Sequence, residues 1–186
     1  MGFRFVVKPS VTDEVIRKDQ SPGANARRIA VEKATEVASR VRNGIVIGAD
    51  TIVVIDRKVL GKPKSKSDAK RMLRLLSGRE HSVFTGFALV DSRTKRKTAA
   101  VERTRVRFRQ LEEEEIDAYV ASGSPMDKSG AYGIQDDRGA LFVEKVNGCF
   151  YTVVGFPLAR FHTTFRKFVR ELSHSSGKHG RNGKKD

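Results

Sequence analysis

The sequence predicts one domain of the α/β class, of the mixed α+β kind, with a central mixed sheet flanked by helices. Three observations lead to this prediction. Helix-like and strand-like segments follow one another along the chain. Residues 45–55 form an almost unbroken apolar run, which is typical of a strand buried on both faces of a sheet. The 186 residues, of which 38% are hydrophobic, are enough to bury a substantial core.

The amino-terminal part predicts a short strand, a loop and a long helix. Residues 3–7 alternate in the manner of a strand, which ends at Pro9. Ser21 as the capping residue and Pro22 as the first helical residue predict a helix that runs to about Arg42. Lys33 lies on the apolar stripe of this helix. Either it extends along the stripe to the surface, or it points into a phosphate site.

The middle of the chain predicts a strand, a helix and a hairpin. The strand over residues 45–55 is followed by an amphipathic helix over residues 64–76, which ends at Ser77-Gly78. Strands over residues 81–90 and 98–109 follow. In the second of them apolar and small side chains alternate with a row of arginines, which predicts either a solvated sheet face or the rim of an anion site.

The carboxyl-terminal part begins with a helix after the acidic run at residues 112–115, where negative charge complements the helix dipole. Residues 126–139 are predicted as a loop. Strands over residues 140–146 and 150–154, joined by Asn147-Gly148, predict a hairpin. A final helix over residues 157–172 completes a domain that we place at residues 1–172.

Charge and composition narrow the classes of partner. A formal net charge of +15 indicates an anionic partner, such as a phosphorylated small molecule, nucleic acid or an anionic surface. Residues 173–186 lack apolar side chains, which predicts a disordered basic tail able to bind nucleic acid weakly. No apolar run is long enough for a membrane span, and no secretion leader is evident. The single cysteine, Cys149, is predicted as core filler, and its being alone favours a cytoplasmic protein.

Asp50 is the strongest candidate for a catalytic residue. It lies within the aliphatic strand of residues 45–55, where a carboxylate is unfavourable unless a cation or a reaction requires it. The alternative is an Asp that begins a turn. Together with Asp13 and Glu14, it could supply oxygen ligands for Mg²⁺ or Mn²⁺. Zinc is not expected, because no Cys or His spacing suits it.

A second set of residues is predicted to contact a polyphosphate substrate. Lys33, Lys62 and Lys128 are the candidate partners of the phosphates. Thr51 and Gln135 are neutral hydrogen-bonding residues that could read the edge of a base. Neither a P-loop nor a Rossmann glycine motif is present, so the residues alone predict a phosphate-handling site without naming its reaction.

The motifs resemble those of the Maf family of nucleoside triphosphate pyrophosphatases. The resemblance covers the chain from Phe3 to about Phe168 and is carried by these stretches: Ile47-Gly48-Ala49-Asp50-Thr51, Leu60-Gly61-Lys62-Pro63, Val83-Phe84-Thr85-Gly86, the run 127–135 from Asp127 to Gln135, and Val153-Val154-Gly155-Phe156-Pro157-Leu158. It implies a fold similar to inosine triphosphate pyrophosphatases, often dimeric, and hydrolysis of a nucleoside triphosphate to the monophosphate and pyrophosphate with a divalent cation.

The resemblance also implies roles for individual residues. Asp50 matches the general base and metal-linked carboxylate, Lys33 and Lys62 match substrate-contacting lysines, and Asp13 with Glu14 matches a loop carboxylate. Thr51 and Gln135 resemble the branch of the family that acts on dTTP and UTP.

One departure from the family pattern lies at the amino terminus. Family members open with a strand and a Ser-x-Ser-Pro-Arg-Arg loop, whereas Met1 here aligns with their second strand. The segment before it would amount to roughly 20–30 residues at ordinary element lengths. Two expectations compete: a start site assigned at an internal Met, or a truncated and catalytically impaired relative that serves as a nucleotide- or nucleic-acid-binding protein.

Overall fold

The protein, described by a computed structural model over residues 4–177, contains a five-stranded sheet with helices packed on both faces. The described chain contains five α-helices and five strands, and three short 3₁₀ turns lie between the third helix and the last strand. The elements, in chain order, are α1 (Pro22–Ser39), β1 (Ile45–Ile55), β2 (Lys58–Leu60), α2 (Lys66–Leu76), β3 (Glu80–Asp91), β4 (Lys97–Phe108), α3 (Glu113–Ala121), β5 (Val143–Asn147), α4 (Phe150–Val154) and α5 (Leu158–Gly177). The predicted α/β class is confirmed.

The sheet is antiparallel at every pairing of the described strands, with the order β2-β1-β3-β4-β5. The expectation of a mixed sheet is therefore wrong in this respect. The apolar run of β1 is accounted for by helix α1 on one face and the main core on the other, and burial on both faces does not require parallel neighbours. β3 and β4 form a long hairpin beside it.

Helix α1 begins where the sequence predicts. The hydroxyl of Ser21 accepts a hydrogen bond from the backbone N–H of Ala24, and Pro22 opens the helix. The helix ends at Ser39, three residues before the predicted end. Half of its eight buried residues are alanines, so the helix packs closely on β1 and β3.

The largest core lies on the opposite face of the sheet. Helix α2 contributes the apolar face that its periodicity predicts, and α3 packs beside it over β1 and β4. A separate aromatic cluster joins α5 to β3 through Phe87, Phe161 and Phe168. On β4, Thr104, Val106 and Phe108 are buried, whereas the alternating arginines are exposed and do not line the cavity described below.

Two predicted strands are absent from the described residues. Residues 4–7 form no strand, and the side chains of Phe5 and Val6 are exposed, because this segment pairs with no neighbouring strand. The segment 150–154 is the short helix α4, so the predicted hairpin at Asn147-Gly148 is also wrong. A five-residue apolar run fits a strand or a helix equally well, and its local contacts decide between them.

Helix α5 continues past the predicted end at residue 172 and reaches Gly177. The predicted disordered tail therefore begins with helical residues, and residues 178–186 lie outside the described part of the chain. Among residues 4–177, no helix has the length and apolar character needed to cross a bilayer.

Candidate active site

A cavity of about 280 Å³ opens beside β1. It is lined by the middle of β1, by Lys33 of α1, by Glu14 before that helix, by the loop after β2 with Lys62, by the loop after α3 and by the end of α4. Seven of the eight residues singled out from the sequence line this one cavity: Glu14, Lys33, Asp50, Thr51, Lys62, Lys128 and Gln135. Asp13 does not line it.

Asp50 is a buried carboxylate that forms an ion pair with Lys33. Only 9% of the residue is exposed. The ammonium nitrogen Nζ of Lys33 donates a hydrogen bond to Oδ1 of Asp50 at 2.8 Å. Asp50 is therefore not a residue of a turn, because it lies inside β1 and pairs with Gly86 of β3. Lys33 points into the cavity, and its role toward a phosphate stays a prediction.

Two glycines allow α1 to come close enough for this ion pair. A Cβ atom at Gly86 would lie 2.4 Å from the backbone carbon of Ala26, and one at Gly48 would lie 2.6 Å from the carbonyl oxygen of Ala30. Neither position admits a side chain without movement of the helix backbone. Gly48 precedes Asp50 by two residues and Gly86 lies opposite it, so the closest approach of helix and sheet is centred on the carboxylate.

Glu14 reaches the same lysine from the segment before α1. Its Oε1 lies 2.6 Å from Nζ of Lys33 and 3.7 Å from Nζ of Lys62. The segment is held on α1 by Asn25, which is 1% exposed and exchanges two hydrogen bonds of 2.9 Å with the backbone of Arg17. Arg28 donates a further hydrogen bond to the carbonyl of Val15. Side chains of α1 thus place the loop carboxylate at the cavity.

Burial and charge act in opposite directions on these groups. Burial is the largest influence on Asp50 and raises its pKa, although Lys33 counteracts part of the effect. For Lys33, burial acts to lower the pKa, but the carboxylates of Asp50 and Glu14 outweigh it and the pKa is raised. For Glu14, burial acts to raise the pKa, and the charges and hydrogen bonds of the two lysines bring it below its ordinary value. The pKa of Asp50 is thus raised and that of Glu14 lowered from their ordinary values.

The predicted metal ligands are only partly brought together. Asp13 is exposed and does not line the cavity. Within residues 4–177, no three His, Cys, Asp or Glu side chains converge as a metal-binding group. Asp50 and Glu14 do converge, since both contact Nζ of Lys33. Mg²⁺ is commonly held by one or two carboxylates together with substrate phosphates, so this pair of residues fits a divalent cation.

Lys62 and Lys128 differ in how closely their ammonium groups are bound by other residues. Lys62 is half exposed at the cavity, and its ion pair with Glu14 is long, at 3.7 Å. The ammonium of Lys128 instead donates to the carbonyl of Ser124 at 2.6 Å and to Asp127 at 2.8 Å. Lys128 therefore stabilises the loop after α3. To contact a phosphate, its ammonium would have to release Ser124 and Asp127.

The two residues predicted to read a base line the same cavity as Asp50. Thr51 is the next residue of β1, so its side chain emerges on the face of the sheet opposite to that of Asp50. Its Oγ1 lies 2.9 Å from Oγ1 of Thr85. Gln135 is exposed and belongs to the loop after α3. This arrangement separates a charged side of the cavity from a neutral one.

Sequence reasoning attached no role to Thr85 or to the end of α4. Thr85 is fully buried and contacts Thr51. Gly155, with φ of 113° after α4, leaves space beside Thr51, because a Cβ atom there would lie 3.6 Å from Oγ1 of Thr51. Both residues occur in stretches that carry the family resemblance. The sequence shows Thr85 only as a hydroxyl on the inward face of a strand. Its hydrogen-bond partners lie on β1 and α4, and the sequence does not reveal that these elements are close to it.

Comparison with known proteins identifies the family of this chain. The profile of a family described as Maf-like protein matches residues 1–168. The chain is 45% identical over 173 residues to a dTTP/UTP pyrophosphatase of Dictyoglomus thermophilum, covering 92% of this chain and 89% of that protein. It is 45% identical to a dTTP/UTP pyrophosphatase of Bacillus mycoides, with 92% and 88% covered. A protein of the same description from Carboxydothermus hydrogenoformans is 44% identical, with 88% and 86% covered.

The family match extends over every element that lines the cavity, from the segment with Glu14 to the residues after α4. The motifs that carried the resemblance are the segments that the fold gathers around Asp50. This chain belongs to the Maf-like protein family.

Proposed function

We propose that this chain is a nucleoside triphosphate pyrophosphatase that hydrolyses dTTP and UTP to the monophosphate and pyrophosphate. The observation that carries the proposal is the buried carboxylate of Asp50, 2.8 Å from Lys33, in a cavity that also holds Lys62 and Thr51. The curated relatives with about 45% identity carry the name of this activity. The charged residues suit a triphosphate, and the neutral side of the cavity suits a base.

The reaction adds water across the bond between the α- and β-phosphates. The water oxygen forms a bond to phosphorus, the bridging P–O bond breaks, and pyrophosphate departs with the monophosphate left behind. Asp50 accepts the proton of the attacking water, a task that its burial favours by raising its pKa. Lys33 and Lys62 stabilise the negative charge that develops on the phosphate oxygens.

A divalent cation, Mg²⁺ or Mn²⁺, forms part of the proposal. Asp50 and Glu14 would hold it, because they are the two carboxylates that meet at Lys33. When bound, such an ion neutralises phosphate charge and polarises the phosphorus. Asp13 is left out of this ligand set because of its position outside the cavity.

Base recognition is assigned to Thr51 and Gln135. The amide of Gln135 offers both a donor and an acceptor, and Thr51 offers a hydroxyl, so the pair can hydrogen-bond to the edge of a pyrimidine. Lys128 is proposed as a residue that supports the loop carrying Gln135, with phosphate contact as a second role.

The test is release of pyrophosphate from dTTP and UTP in the presence of Mg²⁺ or Mn²⁺. We expect Asp50→Asn to lower kcat by about 10²- to 10⁴-fold, the range for loss of a general base. Glu14→Gln should raise the metal concentration needed for activity. Asp13→Asn is the matched control, because it removes the neighbouring carboxylate that lies outside the cavity. Hydrolysis by Asp50→Asn at the rate of the unaltered protein would refute the proposal.

Weak nucleic-acid binding is a second candidate, favoured by a basic groove between the β3–β4 turn and α5. Arg96, Arg166, Lys167 and Arg170 line it, with Glu171 as the acidic neighbour. Affinity for DNA that falls steeply with salt, and less steeply in Arg166→Ala/Arg170→Ala, would support it. The homodimer and the cytoplasmic location stay predictions, and sedimentation equilibrium would decide the former.

A further inference from the structure

A buried hydrogen-bonded chain leads away from the neutral side of the cavity. Thr51 of β1 and Thr85 of β3 are directly opposite each other in the sheet, and their Oγ1 atoms are 2.9 Å apart. The hydroxyl of Thr85 donates to the backbone carbonyl of Thr152 in α4 at 2.6 Å. Thr85 is 0% exposed, so its own hydroxyl is shielded from water.

The direction of the first bond follows from the second. A hydroxyl has one hydrogen, and a carbonyl oxygen has none. Because Thr85 gives its hydrogen to the carbonyl of Thr152, it can only accept from Thr51. The hydrogen of the Thr51 hydroxyl is therefore directed at Thr85, and only oxygen lone pairs remain for the cavity.

We propose that Thr85 is a positioning residue for substrate selection: it makes the hydroxyl of Thr51 an acceptor toward the cavity, so that Thr51 selects a base with an N–H at its ring nitrogen N3. The inference rests on the proposed function and deepens it by assigning a chemical basis to the preference for uracil and thymine over cytosine. Uracil and thymine carry a hydrogen on N3. Cytosine has a lone pair there, which would face the lone pairs of Thr51.

The expected discrimination between uracil and cytosine follows from the general penalty for an unpaired polar contact. Leaving a desolvated acceptor without a donor corresponds to a discrimination of about 10- to 100-fold. A hydroxyl without the constraint of Thr85 would rotate and donate to cytosine N3, and most of this discrimination would vanish. The effect would concern the ratio between two substrates, and a general loss of folding would not change that ratio.

The chain contains a matched control for this residue. Thr104 of β4 is also 0% exposed, and its hydroxyl donates to the carbonyl of Cys149, at the start of the same helix, at 2.9 Å. It has no hydrogen bond to Thr51 among the described residues. Thr104→Val therefore removes the same kind of hydroxyl-to-carbonyl bond to the same helix, without touching Thr51.

The experiment compares kcat/KM for UTP and CTP in the unaltered protein, Thr85→Val, Thr85→Ser and Thr104→Val. We expect a UTP preference of about 10-fold or more in the unaltered protein. It should fall toward unity in Thr85→Val, while Thr85→Ser and Thr104→Val retain it. If Thr85→Val does not fold, Thr85→Cys replaces it, because a thiol is only a weak donor and acceptor.

Two results would overturn the inference. One is equal use of UTP and CTP by the unaltered protein, and the other is an unchanged preference in the folded Thr85 variant. In both cases hydrolysis of UTP continues, so the proposed pyrophosphatase activity stands. Absence of hydrolysis of dTTP and UTP by the unaltered protein is a different outcome, which rejects the proposed function itself and this inference with it.

Discussion

Acidification should destabilise this protein through His81 of β3. The side chain is 2% exposed and lies edge-on to the rings of Phe108 and Tyr132. Its Nε2 is 2.7 Å from the hydroxyl oxygen of Tyr132, whereas its Nδ1 is buried with no hydrogen-bond partner among the described residues. Burial lowers the pKa of His81 from 6.5 to about 4, because the charged imidazolium would lose its hydration in this interior.

The sign and size of the effect follow from this difference. In the unfolded chain His81 takes up its proton near pH 6.5, and in the folded protein only near pH 4. Between these values the unfolded state binds more protons, so the free energy of unfolding decreases as the pH falls. The contribution is complete above about pH 6.5 and lost at about pH 4. At about 1.4 kcal/mol per pH unit it amounts to about 3 kcal/mol.

The assay is urea unfolding across this pH range for the unaltered protein, His81→Phe and His162→Gln. His81→Phe removes the titrating group. Its free energy of unfolding should therefore fall by about 3 kcal/mol less than that of the unaltered protein over this pH range. His162→Gln, which removes an exposed histidine of α5, should follow the unaltered protein. Parallel losses of stability in His81→Phe and the unaltered protein would show that another group is responsible.

Two further predictions concern the helix that carries Lys33. Gly86→Ala should lower the free energy of unfolding by about 1–3 kcal/mol or more, because its methyl group would meet the backbone of α1 at 2.4 Å. Gly61→Ala, which adds a methyl group in open space, is its control in thermal unfolding, and equal effects of the two would contradict this account. Asn25→Ala should lower the free energy of unfolding by about 1–3 kcal/mol and raise KM, since Asn25 holds the segment that carries Glu14. Ser39→Ala, which removes an exposed bond at the other end of α1, should leave KM unchanged in the same kinetic assay.

The agreement between prediction and structure is best where the determining interactions are local. The Ser21-Pro22 start of α1 depends on one hydroxyl and one ring within a single turn, and both are visible in the sequence. The alternation along β4 likewise places Val106 inside and its arginine neighbours outside, since the period of a strand is a property of the backbone.

The errors occur where a short segment depends on distant neighbours. Residues 4–7 have the composition of a strand, but a strand forms only beside another strand, and the described chain offers none there. In the segment 150–154, Gly155 ends a helical turn with φ of 113°, and Cys149 accepts a hydrogen bond from Thr104 of β4. That contact spans 45 residues of sequence, which local patterns cannot reveal.

What the sequence determined by itself is the identity of the reactive groups: an aspartate within an aliphatic strand, lysines beside glycines, and the motifs by which the family resemblance was found. Only the tertiary structure decided which of them meet. Glycines at positions 48 and 86 allow α1 to lie against the sheet with Lys33 on Asp50, and Glu14 lines the cavity whereas Asp13 does not. The direction of the Thr51 hydroxyl also depends on a carbonyl about a hundred residues away. The physical reason is the same each time: side-chain type is a local property, whereas distance and hydrogen-bond direction depend on how separate elements pack.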